Sequence, residues 1–162
     1  MSGLRHLWTP WRMEYIRSAM EEGDEVCFLC DLPAQDDDEK NLILARGERA
    51  FVILNRFPYN PGHLMVAPFR HTGELEDLGE DELRDVDGLL QRSIRALKEE
   101  YQPHGFNLGV NLGRVAGAGI PDHVHWHVVP RWNGDTNFMP VIAQTKVLPE
   151  LLQESARRLG RI

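Results

Sequence analysis

The run His123-Val124-His125-Trp126-His127-Val128-Val129-Pro130 constrains this chain more than any other stretch. Successive side chains of a strand point to opposite faces. An extended run therefore sets His123, His125 and His127 on one face and Val124, Trp126 and Val128 on the other. The apolar face predicts a packed core behind it. The histidine face predicts a row of imidazoles about 7 Å apart from Cα to Cα, at about 3.3 Å of rise per residue. That spacing suits groups coupled through hydrogen bonds, a shared anion or a metal. A single strand histidine is ordinarily a surface group or a satisfied core residue. Three in register against a clean apolar face point to chemistry.

The pattern resembles the signature of the histidine triad family of nucleotide hydrolases and transferases. The resemblance extends to Leu7-Trp8-Thr9-Pro10-Trp11-Arg12-Met13-Glu14-Tyr15-Ile16, to Asn60-Pro61-Gly62-His63-Leu64-Met65-Val66 and to Pro130-Arg131-Trp132-Asn133-Gly134-Asp135-Thr136-Asn137-Phe138. These segments are similar to the bacterial branch that acts on diadenosine tetraphosphate. The histidine run is specific for the family; the flanking segments are less specific for one activity.

A chain of 162 residues suits one domain with a real core. The expected parts are an N-terminal arm over 1–40, a core over 41–135 and a C-terminal extension over 136–162. No apolar run reaches membrane-span length and the N-terminus lacks a signal-peptide core, so the expected place is the cytoplasm. The formal net charge of −7 argues against nonspecific nucleic-acid binding but leaves room for a small anionic ligand.

In the arm, Thr9 and Pro10 predict a helix start, with Trp11, Tyr15 and Ile16 near one face. The helix docks aromatics on the body, reaches a partner subunit or covers the site. Cys27-Phe28-Leu29-Cys30 can grip a tetrahedral metal from a tight turn or be two unremarkable thiols. The acidic stretch around Asp36-Asp37-Asp38-Glu39 predicts a solvated loop. Leu42–Ala45 and Ala50–Asn55 predict strands of a hairpin, and Asn60-Pro61-Gly62 a turn into a strand over His63–Pro68. That arrangement brings Ile53, Asn55, His63 and Met65 together.

Glu80–Tyr101 predicts a long helix buried along Leu83, Val86, Leu90, Ile94, Leu97 and Tyr101. Phe106–Leu112 alternates as a strand, with Asn111 on the face of Asn107. The following loop, Gly113 to Gly119, lets backbone N–H groups approach a phosphate closely. Arg131 is a candidate phosphate contact or a surface arginine. Val147–Ile162 predicts a C-terminal helix. The fold class is α+β: an antiparallel sheet of about five strands with the long helix on one face and the C-terminal helix beside it.

The resemblance implies roles. His125 is the nucleophile that attacks an α-phosphorus, His127 a donor to phosphate or leaving oxygens, and His123 a positioning group. Ile53, Asn55, His63 and Met65 form the nucleoside pocket. Asn111 and the loop at Gly117 and Gly119 contact phosphates. Many relatives carry glutamine or serine where Gly119 stands, so the leaving-group preference is open. The resemblance also implies a structural zinc ion on Cys27, Cys30, His71 and His123, no catalytic metal, and a two-fold dimer. The expected substrate is a dinucleoside polyphosphate or another adenylated compound, with phosphate or water as acceptor. Rival readings are a nucleoside phosphoramidate hydrolase, a nucleotide-binding sensor with little turnover, and a hydrolase with an open zinc site.

Overall fold

The computed structural model describes residues 27–135 and 150–160. The expectations for the arm before Cys27, and for 136–149 of the C-terminal extension, lie outside the described residues. The elements run α1 (Phe28–Ala34), α2 (Asp38–Asn41), β1 (Ile43–Arg46), β2 (Ala50–Leu54), β3 (Leu64–Pro68), α3 (Glu80–Tyr101), β4 (Gly105–Val110), β5 (Trp126–Arg131) and α4 (Leu152–Leu159). The five strands form one antiparallel sheet in the order β1-β2-β3-β5-β4. The expected fold class is therefore the one observed.

Strand alternation divides the sheet into two faces. Val52, Leu54, Leu64, Val66 and Val128 pack with Val86, Leu89 and Leu97 of α3. Ile43, Phe51, Ile53, Met65 and Ala67 pack with Leu29 of α1 on the opposite face. Register then decides where the histidines go. Ile43 pairs with Ile53, Ile53 with Met65, Met65 with His127 and His127 with Gly109. This row crosses all five strands on the face away from α3, while Trp126 packs against the α3 cluster.

Several local expectations change. The acidic stretch is a loop only through Asp37: Asp37 caps α2, its carboxylate accepting from the Lys40 N–H, and Asp38, in the helix, pairs with Arg46 at 2.8 Å. These carboxylates are more useful on a helix N-terminus and a cation than in water. Leu42 ends α2 in the left-handed region, so β1 begins one residue later than expected. The cysteine pair starts a helix, with Cys27 as its N-cap. β4 stops at Val110, which leaves Asn111 in the loop. In α3 the bounds are as expected, but Leu83 is 38% exposed while Leu89 and Ser93 are buried.

β5 is shorter than the histidine run. Only Trp126 onward joins the ladder. His123 and Val124 lie on the approach, pinned by the Val124 N–H donating to the Thr72 carbonyl at 2.7 Å. Gly73 permits that approach, because a Cβ there would stand 2.4 Å from the Pro121 carbonyl oxygen.

Candidate active site and metal centre

The histidine run splits into two groups. One holds His125, His127 and His63. The ring centroids of His125 and His127 are 5.0 Å apart, and those of His63 and His127 are 5.2 Å apart. The other group pairs His123 with His71, ring centroids 5.3 Å apart, beside the two cysteines. His123 thus leaves the expected row, because its backbone precedes the ladder that would hold a strict alternation.

Neighbouring groups assign the protons. The Nδ1 of His125 stands 2.8 Å from the carbonyl oxygen of His123. A carbonyl only accepts, so Nδ1 carries the hydrogen and the Nε2 lone pair is left open. His125 is 4% exposed, and burial pushes its ring below the ordinary imidazole value, keeping it neutral.

A second chain starts at a backbone donor. The Tyr59 N–H donates to His63 Nδ1 at 3.1 Å. That places the ring hydrogen of neutral His63 on Nε2, which meets His127 Nδ1 at 3.0 Å. Neutral His127 then carries its hydrogen on Nε2. The Tyr59 ring also stacks on His63, with centroids 5.0 Å apart and planes 14° apart. His63 is fully buried, with His127 in front of it.

Asn55 is half-buried beside this chain. Its Oδ1 accepts from the Phe57 N–H at 2.9 Å, and its Nδ2 reaches Met65 Sδ at 3.6 Å. Ile53 and Met65 are 2% and 4% exposed, paired across β2 and β3 within the second core cluster. In the loop after β4, Gly113 and Gly117 take positive φ values of 77° and 93°. Gly117 and Gly119 are exposed, and Asn111 Nδ2 reaches the Gly117 carbonyl at 3.4 Å, which braces the loop.

Arg131 is held in a clamp. Its Nε and Nη2 donate to Asp135 at 2.5 and 2.9 Å, and its Nη1 donates to Asn107. The Arg131 pair holds the Asp135 carboxyl far below the usual carboxylate range.

Cys27 Sγ lies 3.3 Å from His123 Nδ1, Cys30 Sγ 3.3 Å from His71 Nδ1, and Cys30 Sγ 3.5 Å from His123 Nδ1. Tetrahedral zinc with ordinary bond lengths needs sulfur and nitrogen about 3.6 Å apart. All four candidate donor atoms lie within 4.8 Å of one another. The His123 Nε2 hydrogen is held by the Pro68 carbonyl at 2.8 Å, which turns the Nδ1 lone pair toward the sulfurs. Burial lowers the His123 ring to about 4, so it remains an unprotonated ligand in the metal-free chain. Burial raises the Cys30 thiol to about 11 there, so metal binding would displace its proton. The donor set and its spacing fit zinc.

The model of the HIT domain matches residues 37–134. The chain belongs to the HIT domain family. A HIT relative named AP-4-A phosphorylase, from Mycobacterium tuberculosis, is 45% identical over 164 residues, covering 97% of this chain and 83% of that protein. A bis(5'-adenosyl)-triphosphatase from Dictyostelium discoideum is 32% identical over 84 residues, covering 52% of this chain and 56% of that protein. Among solved structures, a zinc-bound histidine triad family protein from Mycobacterium smegmatis superposes with a TM-score of 0.66 at 28% identity, covering 85% of this chain and 92% of that one.

Sequence reading found the Cys27–Cys30 and His125–His127 pairs, with His71 and His123 added as metal ligands by the family resemblance. It missed the Tyr59 N–H, the His123 and Pro68 carbonyls, and Asp135 with Asn60. Backbone groups leave no signal in residue identity. The Asp135 clamp had a weak one, in the polar turn after the histidine strand.

Proposed function

We propose that this HIT chain is a nucleotide hydrolase or transferase that cleaves dinucleoside polyphosphates of the diadenosine tetraphosphate type at the α-phosphate. The observation that carries this reading is the paired tautomers: a lone pair on His125 Nε2 and a hydrogen on His127 Nε2, on rings 5.0 Å apart. The near-full-length similarity to the mycobacterial AP-4-A phosphorylase supports the substrate class.

In this scheme His125 Nε2 attacks the α-phosphorus and forms a nucleotidyl-histidine while the rest of the polyphosphate leaves. His127 Nε2–H donates to the leaving oxygen as charge develops on it. Phosphate or water then attacks the same phosphorus and releases His125. The His123 carbonyl stabilises the charge that His125 gains, through the Nδ1–H bond. The loop at Gly117 and Gly119, with Asn111, is the phosphate-facing set, and the Gly117 N–H is itself bonded to the Arg114 carbonyl at 3.0 Å, which fixes the turn. Ile53, Asn55 and Met65 frame the nucleoside side. The glycine at 119 offers only backbone where a side chain might have selected the leaving group. Zinc, bound by Cys27, Cys30, His71 and His123, supplies a cross-link between α1 and the approach to β5; with four protein ligands it is structural.

We further infer one functional unit over 1–162, with arm, core and extension at 1–40, 41–135 and 136–162, acting in the cytoplasm as a homodimer. Among the described residues no helix is long and apolar enough to cross a membrane. β4 is the last strand of its sheet and carries Leu108, 51% exposed, with Leu112 beyond it at 44%. An edge of that kind is suited to pairing with a second copy.

Product analysis with diadenosine tetraphosphate, with and without inorganic phosphate, tests the reaction. Phosphate-dependent ADP plus ATP identifies a phosphorylase. AMP plus ATP in both samples identifies a hydrolase. Absence of product in both samples overturns the reading.

A further inference from the structure

Asp135 lies eight residues beyond His127, and its bond to Asn60 begins a path that leads back to that ring. The carboxylate side chain is only 10% exposed. Its Oδ2 accepts from Asn60 Nδ2 at 2.9 Å, from Arg131 Nε at 2.5 Å and from the Trp132 N–H at 3.2 Å, while Oδ1 accepts from Arg131 Nη2 at 2.9 Å. Asn60 is 5% exposed, and its Nδ2 also donates to the Pro130 carbonyl at 2.8 Å. The two Nδ2 hydrogens of Asn60 are thus divided between the end of β5 and Asp135.

The other end of Asn60 faces the site. Its backbone carbonyl accepts the His63 N–H at 3.1 Å, closing the Asn60–His63 turn, in which Gly62 has a φ of 74°. His63 in turn meets His127 Nδ1. One continuous path leads from Asp135 through Asn60 and the turn to His63, and from His63 to His127. β5 bears both ends of the path, His127 in the strand and Asp135 just after it. The turn is therefore held against the strand at two points, Pro130 and His127, and Asp135 orients the amide that makes the first.

We propose that Asp135 is a positioning residue for His127, acting through Asn60 and His63 to keep the His127 Nε2–H aimed at the leaving oxygen. A charged acceptor is suited to this task. It takes donors from both segments, and bonds to ionised acceptors are stronger than neutral ones. Without it, Asn60 Nδ2 loses one of two acceptors, the turn gains freedom, and His127 Nδ1 loses a fixed donor. The His127 hydrogen is then shared between both ring nitrogens. The proposal rests on the reading that His127 protonates the leaving oxygen.

The test uses two aryl esters of AMP, para-nitrophenyl and para-methylphenyl, with the full chain. They bind alike but differ in how much the departing oxygen needs a proton. Asp135→Ala is expected to lower kcat on the para-methylphenyl ester by about tenfold or more, with about threefold or less on the para-nitrophenyl ester and KM unchanged on both. His127→Ala provides the reference and should show the same selectivity, more strongly. Equal losses on both esters in Asp135→Ala, or no loss on either, overturn the proposal while selectivity in His127→Ala leaves the His127 reading standing. Absence of selectivity in His127→Ala overturns that reading and the proposal with it.

Asp135→Asn, which keeps the side-chain shape, covers the case in which Asp135→Ala does not fold. Nitrogen-15 NMR of the imidazoles then reads the same claim without turnover. The expected result is a wild-type His127 held in one tautomer and an Asp135→Asn His127 that averages between two. An unchanged His127 signal in that variant overturns the proposal.

Discussion

Each imidazole of the His63, His125 and His127 group meets a partner that assigns its hydrogen. Carbonyls can only accept and backbone N–H groups can only donate, so the His123 carbonyl and the Tyr59 N–H are unambiguous. His125→Ala should lose several orders of magnitude in kcat with the fold intact, and mass spectrometry should find no nucleotidyl adduct in that variant. His63→Ala should be milder, because it removes the donor to His127 Nδ1 and leaves the nucleophile in place; a loss of about 10²-fold in kcat with KM little changed is expected from steady-state kinetics. None of these partners was legible in the sequence. His125 and His127 were, since alternation with Val124, Trp126 and Val128 needs only neighbours along the chain.

At the scale of elements, α3 shows why a pattern is read more easily than its phase. Its bounds follow from the apolar repeat, but the buried line runs through Val86, Leu89, Leu90, Ser93 and Leu97 rather than Leu83. Ser93 gives no apolar signal, and its burial follows from the sheet beneath it. The helix start rests on Glu82, whose carboxylate accepts from the Gly79 N–H at 2.9 Å and pairs with Arg70 at 2.8 Å. The Arg70 bond, then the Gly79 N–H, lower Glu82 from 4.5 to about 2. A depressed carboxyl stabilises the fold above its ordinary value and loses that contribution as pH falls toward its folded value. Because Arg70 is 46% exposed, solvent screening keeps that contribution small. Glu82→Gln should therefore lower the melting temperature at neutral pH, and the gap to wild type should close between pH 4.5 and about 2. At the other end of α3, Arg158 of α4 bonds Glu100 at 2.6 Å and Glu150 at 2.8 Å and lies 4.3 Å from the Tyr101 ring centroid. Arg158→Ala should lower the denaturant midpoint of unfolding, by freeing α4 from that clasp.

For the molecule as a whole, the proposed zinc cross-link joins segments far apart in sequence. Cys27 and Cys30 open α1, His71 follows β3 and His123 precedes β5. Metal analysis should find about one zinc per chain, and chelation should lower the melting temperature. Leu108→Asp at the exposed edge of the sheet should shift the sedimenting species from dimer to monomer if β4 is the seam. Family resemblance added His71 and His123 as metal ligands, and the amino-acid order by itself determined the alternating histidine strand, the long helix, the α+β class and the Cys27–Cys30 pair. Those depend on local periodicity and on residue chemistry. Tertiary structure decided that His123 turns to the cysteines while His125 and His127 remain together, that His63 lies beneath His127, and that Arg131 serves Asp135. Each of these depends on which backbone carbonyl or N–H group lies opposite a side chain. Strand register and loop closure bring those groups together across long separations, and residue identity does not encode them locally.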